Sequence, residues 1–191
     1  MRACPTWLQS CPMTVLETER MSLRRLVSAD APFILALLND PDWIRYIGDR
    51  GVRSVEAARD YLEARMLSQY EKHGFGLWMV ESRASSEPMG ICGLVKRDTL
   101  PEVDLGFAFM PEYRGLGYAY ESALAVRGHA TGALGIRKLL AITSPANTAS
   151  ARLLERLGFA LESEMPWDGD GKDVVSVYAF SSPAAEHSGA A

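Results

Sequence analysis

Cysteine and histidine are scarce in this sequence, three of each in 191 residues, and neither is grouped. Cys4, Cys11 and Cys92 lack the paired spacing of a disulfide framework or a zinc site, so reduced thiols, as in a cytoplasmic protein, are expected. His73, His129 and His187 sit apart from any Cys or Asp in a ligand pattern, and no metal site is expected. No apolar run reaches the roughly eighteen residues that a membrane helix needs, so no membrane partner is expected. A Gly-x-Ser-x-Gly elbow is missing, which removes the commonest hydrolase signature. Basic residues are not in excess: 20 Lys and Arg against 24 Asp and Glu leave a net charge of −4. Such a balance disfavours nucleic acid as the main partner and weakly favours cationic ones.

Ordinary globular composition remains, 48% hydrophobic and 23% charged, at a length that suits one domain with a substantial core. Met1 to Pro12 holds two prolines and no apolar stretch with basic flanks, so a loose arm is expected there rather than a signal peptide. Residues 13–180 read as one domain. Ser181 to Ala191, small and polar, reads as a disordered tail. Leu16 to Leu26 alternates as a first strand. Ser28 and Asp30 open a helix whose apolar face is Phe33, Ile34, Leu37 and Leu38, and Ser54 caps a second that ends near His73-Gly74. Trp43 and Tyr46, between them, either line a ligand pocket or pack helices onto a sheet. Packing is the better reading, because aromatic side chains are buried far more often than they bind ligands. Gly76 to Ser82 and Met89 to Lys96 form a hairpin.

The stretch from Asp104 to Phe159 organises the rest. Val103, Leu105, Phe107 and Phe109 alternate as a fourth strand that stops at Pro111. After Tyr113-Arg114-Gly115-Leu116-Gly117-Tyr118-Ala119, apolar residues return at helical spacing from Ala119 to Leu134. Gly115 and Gly117 thus lie on a strand-to-helix turn, where unpaired amides and the helix dipole attract anions, and Arg114 adds a fork of donors. A dinucleotide fingerprint would need glycine at Tyr120, and a P-loop would need Ser or Thr after Gly171-Lys172, where Asp173 stands. Both are excluded. Strand, two helices, three strands, helix, strand, helix and two strands predict an α+β fold. Its mixed, mostly antiparallel sheet has one parallel crossover around the 115–134 helix and opens beside strand four.

Arg114-Gly115-Leu116-Gly117-Tyr118-Ala119 resembles the pyrophosphate loop of the GNAT superfamily of N-acetyltransferases. Asn147-Thr148-Ala149-Ser150, running to Leu157-Gly158-Phe159, resembles that superfamily's Asn-led helix. The segments Glu17 to Leu26 and Asn39 to Arg50 are similar to the branch of Rim-type ribosomal-protein acetyltransferases. The resemblance spans about residues 17 to 180. It implies acetyl-CoA as cosubstrate, held by the amides of Arg114 to Ala119, by strand-like pairing at Phe109 and Met110, and by Asn147. It also implies an amine acceptor, a protein N-terminus or a small molecule, and a monomer or homodimer.

Acetyl transfer needs a neutral amine, and the acids of strand four, Glu102 and Asp104, share a face by their i, i+2 spacing. Either relays the amine proton, or both are surface acids. Many relatives carry a tyrosine seven residues after the Asn to protonate the departing thiolate, whereas this chain has Leu154. Ser150 is then the candidate beside the sulfur. Leu154 also keeps open a non-catalytic acyl-CoA sensor.

Overall fold

The computed structural model describes residues 13–167 and 173–182; the expected arm, most of the expected tail and most of the loop that the turn formers from Pro166 to Gly171 predict lie outside them. The first alternating segment is two strands rather than one, β1 (Thr14–Glu17) and β2 (Met21–Arg25). The Thr18 hydroxyl accepts from the Met21 amide at 3.1 Å and the Thr18 amide donates to the Met21 carbonyl at 2.9 Å, closing a tight turn. Thr18-Glu19-Arg20 carries neither Gly nor Pro, so no turn signal interrupts the alternation.

A single 3-10 turn at Ser28–Asp30 leads into α1 (Ala31–Leu38), and α2 (Pro41–Tyr46) follows at once. This second helix lies in the aromatic segment that carried no helix in the sequence reading. Asp40 caps it, accepting from the amides of Asp42 and Trp43 at 3.1 Å each, with Pro41 in the first turn, where its missing N–H costs nothing. The expected second helix is α3 (Val55–Tyr61), a π-helical stretch at Leu62–Leu67, and α4 (Ser68–His73), ended by Gly74 in the left-handed region at φ 78°.

Next come β3 (Leu77–Ser82), β4 (Pro88–Val95), β5 (Val103–Phe109), α5 (Tyr118–Gly132), β6 (Lys138–Thr143), α6 (Thr148–Arg156), β7 (Ala160–Trp167) and β8 (Asp173–Ser181). The eight strands form one sheet in the order β1-β2-β3-β4-β5-β6-β8-β7. Strand four of the sequence reading is therefore β5. Trp78 to Val80 and Met89 to Leu94 are buried without alternation, so the middle of the sheet is covered on both faces. Only β5 and β6 are parallel, joined through α5, and they pair at just two positions, Val103 with Leu139 and Asp104 with Leu140. Beyond that point they part.

Close approach inside the sheet depends on glycine. A Cβ on Gly93 would press on the Gly76 carbonyl and lie 2.7 Å from the Leu77 Cα, both backbone atoms that cannot swing aside. Gly93→Ala should therefore destabilise by about 1–3 kcal/mol, the usual cost of overpacking, and lower the melting temperature by several degrees. Gly128→Ala, on the exposed face of α5 with nothing within 4 Å of the added atom, should melt at or above wild type in the same scan.

Candidate active site

The parting of β5 and β6 exposes one edge of β5. Met110 donates its amide to the Met89 carbonyl at 3.0 Å, and its carbonyl accepts from Tyr113 at 3.0 Å. An antiparallel ladder alternates, so with Met110 turned toward β4 the backbone groups of Phe107 and Phe109 face the opening. The Phe109 carbonyl already accepts from Arg114 Nε at 2.9 Å. Met110, expected to pair with a coenzyme arm, thus has its backbone committed within the protein. Phe107, which strand alternation alone does not single out, presents the free edge.

Two cavities meet here. The larger, about 540 Å³, lies between Gly115 and Gly117 of the turn and the outer face of α6. The smaller, about 160 Å³, reaches back to Asp104, Arg97 and Trp167. Trp43, Tyr46, Phe107, Ala108, Asn147 and Ser150 border both. Trp43 is also a core residue, so packing and lining hold together.

At the turn, Gly115 and Gly117 have φ of 72° and 84°, a conformation that side chains with a Cβ rarely adopt. Among the described residues the amides of Gly115, Leu116 and Gly117 donate to no protein acceptor, and α5 begins at Tyr118. A pyrophosphate fits these free donors and the positive end of the helix dipole. Gly115, Gly117 and Ala119 line the larger cavity; Leu116 is exposed outside it and Tyr118 lies under a guanidinium. That guanidinium belongs to Arg20, which braces the turn from the β1–β2 hairpin. It donates to Glu121 Oε2 at 2.7 Å and the Leu116 carbonyl at 3.0 Å, and sits 4.3 Å from the Tyr118 ring centroid.

Arg114 departs from expectation. Besides the Phe109 carbonyl, its guanidinium binds Asp42 Oδ2 at 2.6 Å and the buried Asp40. Its amide donates to Pro111 O at 3.2 Å. The fork of donors is spent on anchoring α2 to the end of β5. Arg152 and Arg156, an i, i+4 pair on α6, supply exposed positive charge to the larger cavity instead.

The two candidate acids separate. Asp104 is buried in the smaller cavity wall, with Oδ1 3.0 Å from Arg97 Nε. Burial raises its pKa above the usual carboxylate value, and the neighbouring Arg97 offsets part of that rise. Glu102 precedes β5, is exposed and lines neither cavity, so the i, i+2 argument fails where the strand has not begun. Asn147 caps α6, its Oδ1 accepting from the Ser150 amide at 3.0 Å. Leu154 is fully buried on the smaller cavity wall, where it offers no proton. Among the described residues no group of His, Cys, Asp or Glu could hold a metal, and no helix is long and apolar enough to cross a membrane.

Residues 20–160 match the family model of the acetyltransferase (GNAT) domain. The chain is 31% identical over 151 residues to the uncharacterized N-acetyltransferase YoaA of Bacillus subtilis (strain 168), covering 78% of this chain and 84% of that one. An acetyltransferase crystal structure from Agrobacterium tumefaciens str. C58 superposes with a TM-score of 0.75 at 28% identity, over 94% of this chain and all of that one. The structure of RimL, a ribosomal L7/L12 alpha-N-protein acetyltransferase in complex with coenzyme A, gives a TM-score of 0.75 at 18% identity, over 88% and 98% of the two chains, a likeness of fold. With an open β5 edge, a glycine turn of free amides and adjoining cavities, this chain belongs to the GNAT acetyltransferase family, and its reaction is the transfer of an acetyl group from acetyl-CoA to an amine.

Proposed function

We propose that the acceptor is an α-amine, a protein N-terminus in the manner of the Rim-type branch, and that residues 13–180 are a single catalytic domain working in the cytoplasm. The observation that carries this reading is Asp104: one carboxylate, buried, on the wall of the cavity that adjoins the coenzyme cleft. A lysine side chain near pKa 10.4 is only about one part in two to three thousand neutral at pH 7, whereas an α-amine near 8 is about a tenth neutral. One weak base is enough for the second. Bound acetyl-CoA supplies the acetyl group as a thioester. The amides of Gly115 to Ala119 hold its pyrophosphate, the β5 edge at Phe107 and Phe109 aligns its arm, and Asn147 supports that alignment from the α6 cap. Asp104 takes the amine proton through water, while the Ser150 hydroxyl steadies the departing sulfur. A thiol of pKa about 8.5 leaves with only modest help.

Gly117→Glu should abolish coenzyme A binding in calorimetry by setting negative charge among the free amides. Gly117→Ala, equally strained but uncharged, should keep measurable binding. Equal affinity in folded Gly117→Glu and wild type would remove the pyrophosphate from this turn.

Asp104→Asn should lower turnover while sparing coenzyme affinity, the pattern of a group that acts in the chemical step. The acid limb of the wild-type profile combines loss of the Asp104 proton with loss of the amine's own; Asp104→Asn should keep only the amine's part, while Glu102→Gln keeps both. Stability gives an independent reading. A carboxyl raised on folding contributes stability below its unfolded pKa, lost as pH rises through the folded value. The melting temperature of Asp104→Asn relative to wild type should therefore climb as pH rises above the unfolded carboxyl value of about 3.9.

Ser150→Ala should slow single-turnover transfer by about tenfold or less, because a neutral hydrogen bond is worth about 0.5–1.5 kcal/mol. A thousandfold loss in a folded variant would make Ser150 essential.

A further inference from the structure

The smaller cavity has a charge pattern of its own. Its described lining carries two cations, Arg50 and Arg97, against one anion, Asp104. Asp104 is already engaged, its Oδ1 on Arg97 Nε at 3.0 Å. Arg97 stands over the Trp167 ring, 5.6 Å from its centroid, and its two terminal nitrogens donate to no acceptor among the described residues. Arg50 spends one nitrogen on the Ile47 carbonyl at 3.2 Å and otherwise lies open. Trp43 borders both cavities, but its indole N–H is fully buried, with no acceptor among the described residues. The size is restrictive as well. At about 160 Å³ it is less than a third of the larger cavity's 540 Å³, room for one small functional group beside the amine.

From this excess of donors we infer that the acceptor amine carries a carboxylate close to it, which Arg50 and the free end of Arg97 bind while the amine faces the thioester. This rests on the acetyl-transfer reading and narrows it. A polyamine would bring a second cation against two guanidiniums, whereas a carboxylate forms charge-assisted, two-pronged hydrogen bonds with them. Two sources share this chemistry: an acidic side chain at the start of a peptide, which keeps the protein N-terminus proposed above, and the α-carboxylate of a free amino acid, which would replace it. The pairing also bears on the reaction. A carboxylate drawn to Arg97 competes with Asp104 for that cation and weakens the ion pair that holds down the basicity of Asp104.

The test measures thiol release from acetyl-CoA with matched amines: glutamate against its diamide, an Asp-first peptide against its Asn-first counterpart, and spermidine. The carboxylate member of a pair should show kcat/KM at least tenfold higher, in the amino-acid pair or the peptide pair according to the source. Arg50→Gln should remove most of that ratio through KM. Equal rates within both pairs, or spermidine as the best acceptor, would overturn the inference and leave acetyl transfer standing. If no amine releases thiol although coenzyme A binds, the acetyl-transfer reading fails. The carboxylate site is then judged by calorimetry on the coenzyme A complex with N-acetylglutamate and its diamide, where equal affinities sink it.

Discussion

Two residue pairs of parallel ladder, Val103 with Leu139 and Asp104 with Leu140, hold β5 to β6, and the site follows from how short that contact is. A strand edge inside a folded domain carries polar groups that need partners. Here they open onto cavities bordered by α2 and α6. A ligand that runs along β5 completes the ladder the protein leaves unfinished. At the other end of the strand the glycine turn offers free amides from the start of α5. One interruption in the sheet thus leaves a free strand edge and, past its end, a turn of free amides, the two features on which the proposed coenzyme site rests.

The walls of the opening are fixed by polar contacts over long sequence separations. Arg114 joins the end of β5 to Asp40 and Asp42, and so sets where α2 and its aromatic residues stand. Arg20 reaches from the first hairpin to Glu121 and the Leu116 carbonyl, holding the turn from outside. Asp104 sits where the two strands part, in a place dry enough to raise its pKa. The smaller cavity inherits its character from that spot, because the one carboxylate on its described lining is tied to one of its two arginines.

Much of this was legible in the sequence. The glycine turn, the Asn-led helix and the strand alternation are local, and each residue states its preference within a few neighbours. Those elements formed where they were expected, and the opening lies beside the expected strand. Contacts between residues far apart in the chain left no such trace. Arg114 reads as a phosphate donor because its partners Asp40 and Asp42 are over seventy residues away. The family resemblance pairs Met110 with the coenzyme arm, and alternation cannot correct that, because it gives the period of a strand but not which edge each amide faces. Glu102 was placed on β5 because the start of a strand has no sharp signal, and the hairpin at Thr18 lacked the glycine that marks most turns. Helix α2 did have a signal, Asp40-Pro41 as cap and first turn, masked by the short aromatic run that follows.

The commitment of Arg114 to two aspartates also bears on ionic strength. Exposed charges are screened within about 8 Å at physiological salt, whereas backbone amides and a helix dipole touching their ligand act at contact distance, where screening has little room. The pyrophosphate recognition proposed for this turn is therefore largely dipolar. On that proposal, the salt-sensitive part of coenzyme affinity falls to Arg152 and Arg156, which line the same cavity from a different helix.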